Sequence, residues 1–420
     1  MVKTVTFLHT SDLHLGAPFK GLRALSPSWA DRLVKAIPQS YERLIQIALD
    51  EQVDFVVFAG DVFDTAQPSY ADFALFVDGM KRLEQAQIPV YFCTGNHDPY
   101  TLWQHTFSAL PSNMHLFDAL QADFKVFEKD GTPLAVLGGR SYYNQAWPEG
   151  EDISEGISRA ACALATGVEA PFAIGVIHTG LNIDPTRSPV NPKKLLTRNM
   201  DYWACGHIHQ RLLFPEKHPV IVFSGCPQGR DIKEQGEHGV FKVTLTENCN
   251  PELTFFPTAT VVWEQLKIDV SGCKTIAEIR ERITNEQFLA NSHTHCQNMV
   301  CRVPLKGATN LHKELTESVL NDLRDVLNRS YPFFFVDSIV NHTRDVQDIA
   351  KLTKEGLFPS VYLQVVEKHA SKQNETQSYL EKQFVARGLS LPNNLYNLKT
   401  LYREAEGMVL DLLSQGDGHE

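Results

Sequence analysis

Asp12 and His14 close the segment TVTFLHTSDLH, with one residue between them, just after a run of β-branched and aromatic residues. In an extended chain residues two apart project to the same side, so this carboxylate and imidazole can grip one ion. Gly60 and Asp61 follow DFVVFA; the glycine lets the backbone turn sharply, and Asp61 is placed to bridge two ions. Asn96 and His97 follow VYFCTG and offer a neutral amide oxygen with an imidazole beside it. His178 ends FAIGVI, and GHIH supplies His207 and His209 from one short loop. Two aspartates, four histidines and one asparagine make a mixed oxygen and nitrogen donor set without thiolate. Such a set suits Mn²⁺, Fe, Zn²⁺ or a Mg²⁺-like ion rather than a structural zinc. Two ions about 3.5–4 Å apart would clamp a phosphate, activate a water and stabilise the leaving oxygen of an in-line displacement.

Each piece alone is weak. A lone DxH is common, a single buried histidine is more often a satisfied core residue than a ligand, and GD after a strand is usually a turn. The weight lies in five pieces in this order, each following a strand. Other residues divide more evenly. His9 reads as a support for the first ligand pair or as a satisfied core histidine. Arg140 in LGGRSYY suits a substrate phosphate or a surface salt bridge. Arg187, Lys193 and Lys194 follow His178 in a long loop, where basic residues suit a nucleic-acid backbone but are usually only solvated. Arg230, after a glycine-rich turn, fits either account. His293 and His295 beside Cys296 lack a second ligand pair at zinc spacing and read as a polar loop.

The elements that must position these residues alternate. Strands are predicted over Thr4–His9, Asp54–Ala59, Pro89–Cys93, Leu134–Leu137, Phe172–Ile177, Tyr202–Cys205, Val220–Phe223 and Gly239–Leu245. Trp29–Glu51 and Tyr70–Gln85 carry apolar residues at helical spacing. Strand–helix alternation implies an α/β sheet, and ligand sites of such sheets lie beyond the carboxyl ends of the strands. From Trp263 a second small α/β unit is expected, with strands Trp263–Val270, Met299–Pro304 and Pro332–Ile339 and helices Thr275–Leu289 and His312–Arg329. Beyond it Gln373–Arg387 and Leu395–Leu413 read as helices broken by LSLPNN. The last carries an apolar stripe that suits docking on the chain's own body or on a partner. The expected domains are 1–258, 259–345 and a helical 346–420.

At 420 residues, 43% hydrophobic and 21% charged, the chain reads as a multidomain globular protein and not a disordered one. Eight cysteines show no CxxC pair, and Cys93, Cys205 and Cys301 sit in apolar runs. Buried reduced thiols, with neither a leader nor a membrane-spanning run, point to the cytoplasm. The net charge of −11 counts against unaided nucleic-acid binding without excluding a nuclease, because bound cations make such a site positive.

The series DLH, GDVFD, GNHD, HTG and GHIH resembles the calcineurin-like metallophosphoesterase superfamily. The longer strings HTSDLHLG, AGDVFDTAQPS and TGNHD are similar to the SbcD-type DNA repair exonucleases, and FSGCPQGRDIKEQGEHG resembles their YhaO-like branch. The resemblance covers roughly residues 1–245. It implies a layered α/β/β/α sandwich followed by a small capping domain. Asp12, His14 and His209 would hold one ion, Asn96, His178 and His207 the other, and Asp61 would bridge. His97 would act beside the scissile phosphate, with Asp64 orienting it; some nuclease relatives carry a histidine at the position of Asp64. The implied activity is 3′ to 5′ exonuclease, with single-strand endonuclease action beside it, using two divalent ions with Mn²⁺ foremost. The implied partners are DNA, a coiled-coil ATPase of the SMC type and a second copy of the chain. Two rival readings are a phosphoesterase for a small diester or phosphoprotein, and a subunit that mainly docks on an ATPase.

Overall fold

The structure is a computed structural model and describes residues 2–18, 27–106, 110–218 and 220–346, with isolated positions after 360. Apart from isolated helical positions at 378–379, 382–383 and 409, the helices expected at Gln373–Arg387 and Leu395–Leu413 lie outside the described residues. The chain divides into two compact units. One comprises Met1–Glu264, Ala290–Cys301 and Phe333–Phe335, the other Gln265–Leu289, Arg302–Pro332 and Val336–Glu420.

The strands in chain order are β1 (Thr4–Thr10), β2 (Phe55–Ala59), β3 (Val90–Cys93), β4 (Met114–Leu116), β5 (Asp123–Lys129), β6 (Thr132–Arg140), β7 (Phe172–His178) and β8 (Tyr202–Gly206). They continue as β9 (Leu212–Phe214), β10 (Ile221–Phe223), β11 (Gly239–Thr246), β12 (Glu252–Pro257), β13 (Val261–Gln265), β14 (Ile268–Asp269), β15 (Asn298–Ala308) and β16 (Phe334–Arg344). The helices are α1 (Pro27–Asp50), α2 (Tyr70–Gln85), α3 (Tyr100–Thr106), α4 (Arg159–Thr166), α5 (Pro192–Leu196), α6 (Ile276–Ser292) and α7 (Glu317–Ser330).

Two six-stranded sheets form the first unit, in the orders β12-β11-β1-β2-β3-β4 and β5-β6-β7-β8-β10-β9. Strands β1 to β4 run parallel, as do β6, β7, β8 and β10, and antiparallel neighbours close the edges. The sequence of β2 shows why it lies inside. Phe55, Val57 and Ala59 enter the core between the sheets, and Val56 and Phe58 enter the core under the helices. A strand apolar on both faces needs cover on both. That cover comes from α1 and α2, whose Ile37, Tyr41, Leu44, Phe76 and Met80 are buried against the first sheet. Each such side chain contributes roughly 1.5–3 kcal/mol on burial. Ser69 starts α2 by accepting a hydrogen bond from the Asp72 N–H at 3.1 Å. On the far face of the second sheet Ile177 and Trp203 pack with Cys162 of α4 and Leu195 of α5. The layering is α/β/β/α, as the resemblance implied.

In the second unit β14 pairs in parallel with β15, Ile268 opposite Leu305, and α7 buries Leu320, Leu323 and Leu327. The helix expected from His312 begins instead at Glu317, because Thr316 caps it by accepting from the Val319 N–H at 3.4 Å. The single strand expected over Trp263–Val270 is two short strands, β13 and β14. β4, β5, β9 and β12 were not anticipated; β4 and β9 are only three residues long, and β5 and β12 are half-exposed edge strands.

Candidate metal centre

The five motifs stand at the carboxyl ends of β1, β2, β3, β7 and β8, which are neighbours within each sheet. Backbone bonds hold the first two loops together: Asp12 N–H donates to the Gly60 carbonyl and His14 N–H to that of Asp61, both at 3.0 Å. Asp12, His14, Asp61 and His207 all have left-handed φ, at 53°, 51°, 52° and 96°. Non-glycine residues in that region cost about 1–3 kcal/mol each and cluster where a site imposes the conformation. Gly60 also has φ 93°, and a Cβ there would overlap the His178 ring. A Cβ on Gly95 would overlap the Asp61 carboxylate. The glycines of GD and GNHD are therefore demanded by close approach as well as by turning.

Each of the four imidazoles turns one nitrogen outward, three of them into a hydrogen bond and His14 toward a carboxylate. His178 Nδ1 donates to the Ala59 carbonyl at 2.9 Å. His209 Nδ1 lies 2.6 Å from Glu234 Oε1 and His207 Nε2 lies 3.0 Å from Asp184 Oδ2. His14 Nδ1 faces Asp64 Oδ1 at 3.1 Å. With the proton of each ring on that outer nitrogen, the inner nitrogens are lone pairs. Those of His14, His209 and His178 converge: His14 Nε2 is 3.2 Å from His209 Nε2, and His178 Nε2 is 3.2 Å from Asn96 Oδ1. Acceptor facing acceptor at this distance is repulsive unless a proton or a metal cation lies between them. Asp61 Oδ2 stands between the two sets, 3.8 Å from His14 Nε2 and 3.3 Å from His178 Nε2. Asp12, His14 and His209 form one compact donor group, and Asp12, Asp61 and His178 another. These residues fit a pair of divalent ions.

The electrostatics agree. Burial opposes charge on His178, but Asp61 outweighs it and raises the imidazole to about 9. Burial likewise works against the Asp61 carboxylate, yet His178 and His14 hold it far below the ordinary range. Burial lowers His14 and His207. The pocket thus draws positive charge toward Asp61.

His97 lies at the margin, its side chain 41% exposed. Its Nδ1 donates to the backbone carbonyl of Asp64 at 2.8 Å, while the Asp64 carboxylate is 3.8 Å away. That carboxylate instead engages His14 and, at 2.9 Å, Arg230. Asp64 therefore holds His97 through its main chain and the ligand cluster through its side chain.

Sequence reasoning missed Asp98, Asp184 and Glu234. The buried Asp98 carboxylate accepts from the N–H groups of Asp61, Val62, Phe63 and Gly95 at 3.2, 2.8, 3.3 and 2.9 Å, clamping the loop after β2 to that after β3. The signal for Asp184 and Glu234 was the need of each GHIH histidine for an outer partner, but nothing in the sequence says which loop carboxylate answers it.

The basic residues fare differently. Arg140 donates to the Ala119 and Leu120 carbonyls, at 3.4 and 3.2 Å, and stacks 4.9 Å over Trp147. Lys194 reaches Asp152 at 3.7 Å, and Arg230 is held between Asp64 and Glu234. Arg187 donates weakly to the Gln145 carbonyl at 3.5 Å, and Lys193 is exposed. His9 is buried behind the site against the Tyr202 hydroxyl, 2.9 Å away. His295 pairs with Glu237 at 2.7 Å, as a polar loop residue would.

Comparison with known proteins places this geometry. The calcineurin-like phosphoesterase family matches residues 5–211, and the middle domain of metallophosphoesterase YhaO matches 263–344. The metallophosphoesterase YhaO of Bacillus subtilis is 32% identical over 286 residues, covering 67% of this chain and 67% of its own. The DNA double-strand break repair protein Mre11 of Saccharolobus solfataricus is 27% identical over 327 residues, 77% of this chain and 80% of its own. A component of the SbcCD nuclease of B. subtilis is 38% identical over 92 residues, 22% of this chain and 21% of its own. With a donor set that calls for two cations and a YhaO relative matched over two thirds of its length, this chain belongs to the calcineurin-like phosphoesterase family and is a metal-dependent hydrolase.

Proposed function

We propose that this chain is a two-metal nuclease hydrolysing phosphodiester bonds in DNA. The observation that carries the reading is Asp61 Oδ2, set between the inner nitrogens of His14 and His178 at 3.8 and 3.3 Å. Asp12, His14 and His209 would hold one ion, Asn96, His178 and His207 the other, and Asp61 would bridge, with Mn²⁺ the favoured metal. When bound, the ions would supply an activated water and neutralise charge on the phosphate. The chain's own part is placement and proton transfer. Asp98 fixes the backbone that carries Asp61, and complete burial of Asp12, His14 and His178 keeps bulk water from the donors. The Asp64 carbonyl accepts a hydrogen bond from His97 Nδ1–H, so that the doubly protonated ring would give its Nε2 proton to the departing oxygen.

DNA as substrate is supported by the relatives named for double-strand break repair and for the SbcCD nuclease. The proposal includes 3′ to 5′ polarity on duplex ends, single-strand endonuclease action, a cytoplasmic setting, homodimerisation and an SMC-type ATPase partner. It assigns residues 1–258 to the nuclease, 259–345 to a cap and 346–420 to a helical C-terminal region. Among the described residues no helix is long and apolar enough to cross a membrane. Of the five basic residues singled out in the sequence, Arg187 and Lys193 are the ones proposed to meet the DNA backbone. A second reading, hydrolysis of a small diester or phosphoprotein, is favoured by the net charge of −11 and by the ion pairs that occupy Lys194 and Arg230. A mainly docking role is disfavoured by the complete donor set.

The test is cleavage of end-labelled duplex and single-stranded DNA by metal-stripped protein given Mn²⁺, Mg²⁺ or Zn²⁺, with bis-p-nitrophenyl phosphate in parallel. Metal-dependent DNA degradation that falls about 10²–10⁴-fold in His97→Ala supports the nuclease. Diester hydrolysis with DNA intact favours the second reading, and hydrolysis of neither by the metal-loaded protein refutes both.

A further inference from the structure

We propose that Glu234 and Asp184 are paired positioning residues, each setting the metal affinity of one half of the centre through one histidine of GHIH. The inference rests on the two-metal reading above. Glu234 Oε1 meets His209 Nδ1 at 2.6 Å, and Asp184 Oδ2 meets His207 Nε2 at 3.0 Å. In both carboxylates the second oxygen is anchored to the protein. Glu234 Oε2 accepts from the Arg230 N–H at 2.6 Å. Asp184 Oδ1 accepts from the N–H and hydroxyl of Thr186 at 2.9 and 2.6 Å. One oxygen fixes the carboxylate and the other fixes the ring, so the inner nitrogen is aimed before any ion arrives. Outer carboxylates of this kind set the tautomer and basicity of a ligating imidazole and alter metal affinity about 10–100-fold when removed.

The loop that presents Glu234 is itself braced. The Gln228 carboxamide accepts from the Thr260 N–H at 2.7 Å and donates to the Val261 carbonyl at 2.7 Å. Trp263 Nε1 donates to the Gly229 carbonyl at 3.0 Å. The Arg230 guanidinium ties Glu234 to Asp64, which faces His14, so both imidazoles of the Asp12, His14 and His209 group share one brace. Glu234 is 12% exposed and Asp184 35%, so water can stand in for Asp184 more readily. The two halves are therefore supported unequally.

The experiment titrates Mn²⁺ alone into metal-stripped full-length protein by calorimetry and follows the coupled Mn²⁺ pair by electron paramagnetic resonance. Wild type should bind two ions and show the coupled signal. Glu234→Ala should keep one ion at wild-type affinity and bind the other about 10–100-fold more weakly, losing the coupled signal at limiting metal. Asp184→Ala should weaken one ion about tenfold, and the double variant both. Glu234→Gln, which keeps one acceptor, should fall between wild type and Glu234→Ala, and it decides the matter if the alanine variant does not fold. Wild-type affinity for both ions in the Glu234 variants overturns the proposal. A wild-type protein that binds no Mn²⁺ overturns the two-metal reading itself, a distinct result.

Discussion

Replacing Asp98 with alanine should destabilise the protein by about 3 kcal/mol while removing no proposed ligand. The figure follows from the clamp. Two of its bonds, from Val62 and Gly95, are short at 2.8 and 2.9 Å; those from Asp61 and Phe63 are longer at 3.2 and 3.3 Å. A buried hydrogen bond to a charged acceptor contributes about 1.5–3 kcal/mol, so the two short ones alone give roughly 3–6 kcal/mol. Against this stands the cost of the charge itself: burial first, and the neighbouring Asp61 second, push the Asp98 carboxyl up to about 7. That offset brings the net toward the lower end. Asp98→Asn restores one acceptor and should recover about half of the loss. Urea unfolding, with the shift in midpoint read at unchanged slope, measures both variants. The φ of 52° at Asp61 depends on the same clamp, so hydrolysis by the still-folded variant should fall as well. If Asp98→Ala unfolds within about 0.5 kcal/mol of wild type, as an uninvolved surface residue would, the clamp contributes nothing and the reasoning fails.

Two further outcomes are expected. Burial pushes His9 down to about 3, while in the unfolded chain it titrates near the ordinary histidine value of 6.5. Below pH 6.5 the unfolded state therefore binds the extra proton, and stability falls with falling pH by about 1.4 kcal/mol per unit until about pH 3. His9→Gln should lose about 2 kcal/mol less than wild type between pH 6.5 and 5, and parallel stability curves would refute the assignment. Arg140→Ala should cost about 1 kcal/mol through its Trp147 and carbonyl contacts and leave DNA kinetics unchanged. A tenfold rise in KM for DNA at unchanged stability would return Arg140 to the substrate.

The residues of the proposed centre were legible in the sequence because catalysis at a sheet edge leaves a local mark. Asp12, His14, Asp61, Asn96, His178, His207 and His209 each follow an apolar run that can only be a buried strand, and their types are those of metal donors. The sandwich was legible for the same reason: β2 is apolar on both faces, and α1 repeats apolar residues at helical spacing. What surrounds the donors was not. Nothing in the sequence separates Asp98 from an ordinary capping aspartate, and only the fold brings four N–H groups to it. Arg230 fitted a phosphate contact or a structural role equally in the sequence, and the fold pairs its guanidinium at 2.9 Å with Asp64, 166 residues away. Glu234 and Asp184 lie on irregular loops, where no periodicity records which way a side chain turns. Residue type and spacing along a strand are written locally. The choice among many chemically similar carboxylates is made by loop paths in three dimensions, and a one-dimensional pattern carries no trace of it.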